Sequence, residues 1–170
     1  MLALFLLAAL QTGTHTLDYR AAAALGTHLI RLWDFSALVV GGTIETQRNQ
    51  WVDCSGELLK MKRAGLTPVA VLYTRQPWRC AADGLPDLTL HDGTSPWMDY
   101  VREVARRNRD QVRYWEIWNE RDTRAFGGER TAEQYVEMAR QAALVLRELN
   151  AGTILAGSSA EPDKPWLTDC

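Results

Sequence analysis

The residues best equipped for chemistry stand at the end of one apolar run, Tyr114-Trp115-Glu116-Ile117-Trp118-Asn119-Glu120. A carboxyl group at such an end can give a proton to a leaving oxygen and take one back from water. The residues beside it suit a sugar. Sugar rings present CH faces that stack on indole, and their hydroxyls need partners such as Asn and Arg. Two other apolar runs end in a similar mixture, one at Arg31, Trp33 and Asp34 and one at Thr74 to Trp78. In a parallel α/β arrangement the loops after the carboxyl ends of the strands build the site, so three such ends converge on one place. Cleavage of a glycosidic bond requires an acid on one side of the sugar and a second carboxylate on the other. Glu120 can supply the first. For each tryptophan, packing between sheet and helices is the competing use.

Strand alternation refines this picture, because side chains two apart share a face. Tyr114, Glu116, Trp118 and Glu120 have one parity, so Glu116 lies deeper than Glu120 on the same side. A carboxylate at that depth needs a cation, and Arg31 is the best placed. Asn119 has the opposite parity. Asn119 and Glu120 both reach a sugar only if the strand twists or bulges at its end, as strands beside active sites commonly do.

The elements that must hold these groups alternate short apolar runs with amphipathic stretches, the pattern of βα units around a parallel sheet. Leu17 to Leu25 predicts a helix that stops at Gly26, and His28 to Trp33 a strand. Trp51 to Ala64 predicts a second helix ending at Gly65, followed by a strand from Thr67 to Thr74. Ser95-Pro96 places a capping hydroxyl and then a proline at the start of a third helix reaching about Arg107. Val112 to Glu120 is the next strand. Thr131 and Gln134 form a capping box opening a helix with Tyr135, Met138, Ala142, Val145 and Leu149 on one stripe. Thr153 to Gly157 is one more strand. No low-complexity linker interrupts the chain, which reads as a single domain over residues 1–170. A complete (β/α)8 barrel needs eight strands and typically ~250 residues, so the expectation is an incomplete TIM barrel of about the first five βα units. That would make the chain a truncated reading frame or one segment of a longer protein.

Composition narrows the partners. With 46% hydrophobic and 24% charged residues the chain has the balance of an ordinary globular domain, and a net charge of -2 points to neither nucleic acid nor an anionic membrane. Cys54, Cys80 and Cys170 have no metal-ligand spacing with one another or with histidine, so no metal and no other cofactor is expected. Buried thiols are the default for Cys54 and Cys80, and a disulfide between them is the alternative in an exported protein. Residues 1–10 are apolar and too short to span a bilayer. They read as a first barrel strand or as the core of a secretion signal, although no basic residue precedes them and no clean cleavage site follows. Localisation stays open between these two readings, and the oligomeric state is not legible.

At this point the residues resemble a known family. Trp118-Asn119-Glu120 closing an apolar strand is similar to the acid/base motif of clan A glycoside hydrolases, whose usual form is Asn-Glu-Pro. Ile30-Arg31-Leu32-Trp33-Asp34, Ile44-Glu45, Ala64-Gly65-Leu66-Thr67-Pro68 and Gln76-Pro77-Trp78 precede it in an order and spacing that resemble family 39 and its β-xylosidase-like relatives. The resemblance runs from about His28 to Ala160. It implies a TIM barrel, a carbohydrate substrate with β-linked sugars, and a retaining double displacement. It further implies that Glu120 is the general acid/base, that Asn119 holds the sugar 2-hydroxyl, that Arg31 sits under the site and that Trp78 flanks it. Arg121 stands where the clan usually has proline, and Val39-Val40-Gly41-Gly42 replaces an aromatic-rich turn. The clan's nucleophile, a Glu at the end of the seventh strand, has no counterpart here, and Glu161 does not match its position. The competing expectation is a non-catalytic half-barrel that binds carbohydrate or a partner protein.

Overall fold

The computed structural model describes residues 13–14, 18–32, 43–120, 123, 126 and 131–156. Their centre is a parallel sheet in the order β1-β2-β5-β6-β7. Four of its strands are β2 (Leu29–Leu32), β5 (Thr67–Leu72), β6 (Tyr114–Ile117) and β7 (Thr153–Ala156), and the two-residue β1 (Gly13–Thr14) lies along β2. Spatial order follows chain order among these strands. Each right-handed crossover therefore sets its helix on the same face of the sheet, and no topological switch point arises.

Helices α1 (Tyr19–Ala24), α2 (Ser55–Arg63), α3 (Pro96–Asn108) and α4 (Ala132–Glu148) follow in the expected order, and α1, α3 and α4 each start at a side-chain cap. Asp18 caps α1, the Ser95 hydroxyl accepts from the Met98 N–H at the start of α3, and Thr131 with Gln134 closes a full capping box on α4. Gly26 and Gly65 take φ of +76° and +78° just past α1 and α2, the left-handed turn that releases a helix end. The second helix is shorter than its hydrophobic pattern suggested. Gln50 and Trp51 form strand β4, paired antiparallel with β3 (Glu45–Gln47) across a turn in which Asn49 has φ +62°. Asparagine tolerates that conformation, and the hairpin consumes what reads as the first turn of a helix.

Parallel register gives each face of the sheet its character. Leu32, Ala70, Trp115 and Ile154 are neighbours on one face, and Arg31, Val69, Tyr114 and Thr153 on the other. The first face is the core, where Ile30, Leu32, Ala70, Leu72, Trp115 and Ile117 are buried together with Trp97, Tyr100, Val101 and Val104 of α3 and Met138, Ala142 and Val145 of α4. Buried indoles there find acceptors: Trp97 Nε1 donates to Met138 O at 3.0 Å and Trp115 Nε1 to Ala151 O at 2.6 Å. On the second face Leu29, Arg31, Tyr114 and Leu155 are only half-buried and Thr153 is exposed. The polar chemistry lies on this open side. Residues 1–10, Gly157 and Glu161 fall outside the described residues, so the readings made of them stand as expectations. No helix among the described residues is long and apolar enough to cross a membrane.

Candidate active site at the carboxyl ends of the strands

Strand β6 stops at Ile117, and its continuation bends sharply. Trp118 takes φ +66° and Glu120 φ +36°, two left-handed residues on either side of Asn119. Left-handed backbone is unusual for residues with a β-carbon and concentrates at functional turns. The bend breaks the alternation of the strand. The Trp118 N–H still donates to Leu72 O at 3.0 Å, but its ring turns into the core, 4.4 Å from the Tyr73 ring, and its Nε1 donates to Phe126 O at 2.6 Å. At 2% exposure Trp118 offers no face to a ligand, which corrects its reading as a substrate-binding residue.

The same bend carries Asn119 to the other side. Arg31 forms a fork on Glu116, Nε to Oε2 at 2.7 Å and Nη2 to Oε1 at 2.9 Å, and its Nη2 also donates to Asn119 Oδ1 at 2.8 Å. One guanidinium thus ties β2 to β6 and fixes the amide of the motif asparagine. Strand parity assigned Glu116 a cation on this face and named Arg31, and the structure makes that pair. Asn119 is buried, while Glu120 is half-buried at the lip of the sheet. Thr123 holds the Glu120 carbonyl from both its N–H and its hydroxyl, each at 3.0 Å.

The loop after β5 leaves the same carboxyl end of the sheet. Thr74 is buried, and Gln76-Pro77-Trp78-Arg79 closes a four-residue turn through the Arg79 N–H to Gln76 O at 2.8 Å. Proline at the second position of such a turn is pre-set for it. Trp78 occupies the third position and is half-buried. Trp33 and Asp34 lie outside the described residues. Of the groups singled out from sequence, the structure therefore brings together Arg31 and Asn119, sets Glu120 at the end of the same strand and Trp78 on the neighbouring loop, and commits Trp118 to the core.

Sequence reasoning missed a second buried ion pair beside Trp78. Arg79 forks onto Glu45 of the β3–β4 hairpin, Nε to Oε2 at 2.9 Å and Nη2 to Oε1 at 2.7 Å. Burial alone pushes the Glu45 carboxyl upward, but the Arg79 hydrogen bonds, the Asn49 N–H and the Trp78 indole together hold it below the usual carboxylate range. The Trp78 Nε1 atom itself is buried short of hydrogen-bonding geometry with any described residue, so its influence on Glu45 is that of a nearby dipole. Ile44-Glu45 belongs to the resembling segment, but nothing in the spacing tells that Arg79 answers it.

Among the described residues no three His, Cys, Asp or Glu side chains form a group that could hold a metal ion. Cys54 is a buried thiol, pushed up to about 11 by burial and by Asp53 and Glu57 nearby, and no disulfide joins it to Cys80.

No protein-family model and no curated protein sequence matches the chain. Solved structures do. A monomeric β-xylosidase from Caulobacter crescentus CB15 superposes with a TM-score of 0.58 at 18% identity, covering 85% of this chain and 35% of the xylosidase. A family 39 glycoside hydrolase from Bacteroides cellulosilyticus WH2 superposes with a TM-score of 0.54 at 15% identity, covering 86% of this chain and 31% of its own. The chain therefore shares its fold with part of these two structures and spans about a third of their length.

Proposed function

We propose that this chain carries the acid/base half of a retaining glycoside hydrolase acting on β-linked sugars, within a (β/α)8 barrel whose nucleophile carboxylate is supplied from outside these residues. The observation that carries the reading is the Arg31 fork onto Glu116 and Asn119 at the point where two left-handed residues end β6. That arrangement fixes the Asn119 amide one residue before Glu120, at the carboxyl end of a parallel strand, which is where a barrel does its chemistry. In this role Glu120 protonates the glycosidic oxygen as the second carboxylate attacks the anomeric carbon, and then takes a proton from the water that releases the sugar. Asn119, held by Arg31 through its oxygen, is the partner of the sugar 2-hydroxyl in this reading. Trp78 offers a ring face at the edge of the site. Sugar contacts from Trp33 and Asp34 belong to the same proposal, on the sequence resemblance alone.

The division of labour makes the 170-residue chain inactive alone, because one carboxyl cannot both protonate the leaving group and form the glycosyl-enzyme. In a protein that joins this chain to a second carboxylate at ~5–5.5 Å, Glu120→Ala should slow substrates with poor leaving groups far more than aryl glycosides. Added azide should then yield a glycosyl azide of the substrate's own anomeric configuration. The opposite anomer would assign Glu120 as nucleophile instead, and an unaffected variant would remove it from the mechanism.

A further inference from the structure

Trp78 stands in an unusual frame. Both ends of its turn are attached to one residue of another loop: Gln76 Nε2 donates to the Glu45 backbone carbonyl at 2.8 Å, and the Arg79 guanidinium forks onto the Glu45 carboxylate. The turn itself is closed between the same two residues. Asn49 strengthens the grip, since its N–H donates to Glu45 Oε1 at 3.0 Å and its Oδ1 accepts from Arg79 Nη2 at 3.1 Å. Trp51, the last residue of the hairpin, lies under the Arg79 guanidinium at 5.7 Å. Pro77 removes most of the remaining freedom of the turn. The indole is thus presented at the corner of a four-residue turn whose first and fourth residues are held by a single carboxylate-bearing position.

Stability alone is a poor account of such a pair. Side chains that are 0% and 8% exposed give up their hydration to meet, and replacing a buried ion pair by apolar residues is commonly neutral or stabilising. What the pair does supply is direction, because a bidentate fork fixes distance and angle together. We infer that Glu45 and Arg79 are positioning residues that clamp the β3–β4 hairpin to the loop after β5 and thereby set the Trp78 ring against the sugar. This rests on the reading that the strand ends form a sugar site with Trp78 in its wall.

The test uses the 170-residue chain, an aryl β-xyloside as probe, and the indole N–H resonances as local reporters, with that of Trp78 identified by its loss in Trp78→Phe. In Glu45→Gln the Trp78 resonance should shift while those of Trp97 and Trp115, which donate to Met138 and Ala151, stay in place and report a folded chain. Probe affinity should fall roughly tenfold, about the contribution of one ring contact. Arg79→Lys keeps the charge but gives up the fork, so it should reproduce both changes and serves if Glu45→Gln does not fold. Ser95→Ala, which loses a helix cap and a contact to Gln141, should lower the melting temperature and move neither the Trp78 resonance nor the affinity. A folded Glu45→Gln chain with an unmoved Trp78 resonance overturns the clamp. If the resonance moves but Trp78→Phe binds the probe as tightly as the parent chain, or the parent binds none, the clamp stands and the sugar-site reading fails.

Discussion

Removing Arg31 should be among the most damaging single changes on the open face of the sheet, and the structure allows its size to be worked out. Arg31→Met deletes both prongs of the fork on Glu116 and the donor to Asn119 Oδ1. Glu116 keeps only 8% side-chain exposure, whereas Arg31 is 27% exposed, so water can partly replace the guanidinium. Breaking a fully buried pair costs about 3–5 kcal/mol, and partial access moves the expectation to the lower end, near 3. The buried Asn119 oxygen, losing its charged donor, adds about 1 kcal/mol. The total of about 4 kcal/mol corresponds to a shift of roughly 2 M in the urea midpoint at a slope near 2 kcal/mol/M. A double-mutant cycle with Glu116→Leu separates pairing from packing. Because the second change removes the stranded carboxylate, Arg31→Met/Glu116→Leu should be more stable than Arg31→Met alone. The reasoning fails if Arg31→Met shifts the midpoint by less than about 0.5 M, or if the double variant loses the full sum of the two single changes.

Gly152, at φ +117°, has no room for a β-carbon, which would lie 2.3 Å from Arg113 O, so Gly152→Ala should lower stability by at least about 2 kcal/mol in a urea titration. With its thiol pushed up to about 11, Cys54 is roughly one part in a thousand thiolate at pH ~8. Iodoacetamide should leave it unmodified in the folded chain while half-buried Cys80 reacts, and equal labelling of the two would contradict this. Glu45 is held below the usual carboxylate range against the opposing effect of burial, and Glu137 is lowered to about 2, chiefly by its hydrogen bonds from Arg140. A lowered folded-state value contributes stability that is complete above the unfolded value and is lost as the pH falls through the folded one. Thermal stability should therefore decline from about pH 5 downward, mostly through Glu45, since Glu137 is solvent-exposed. The decline should be shallower in Glu45→Gln.

The order of strands and helices could be read because local signals marked their ends. Ser95-Pro96, the Thr131 and Gln134 pair, and the glycines at 26 and 65 each act within one turn of helix, so the sequence displays them directly. Arg31 with Glu116 was legible for a different reason. Strand parity placed a carboxylate where only a cation would do, and few cations were available on a neighbouring strand. The hairpin at Glu45–Trp51 was not legible, because its register is set by contacts with the loop after β5, distant in sequence. Trp118 shows the same difficulty in the candidate site itself. Its type and position suit a sugar as well as a core, and only the left-handed backbone, invisible in a string of letters, decides which way the ring goes.

That bend also makes the length of the motif matter more than its letters. Ile117 is the last residue in register with β5 and β7, and Trp118 follows at once with its N–H on Leu72 and its ring on Phe126. Between the ladder and Asn119 there is one residue, and it is the one that turns the chain over. An in-frame insertion before Trp118 would push a different side chain into that corner and carry the indole onto the open face. The asparagine would then arrive where Glu120 belongs, and Arg31 would lose its amide partner although every original residue was still present. Insertions here should thus be as harmful as losing the site residues themselves, while the exposed Leu90, in the loop that leads into α3, lies in a stretch where added length leaves this frame untouched.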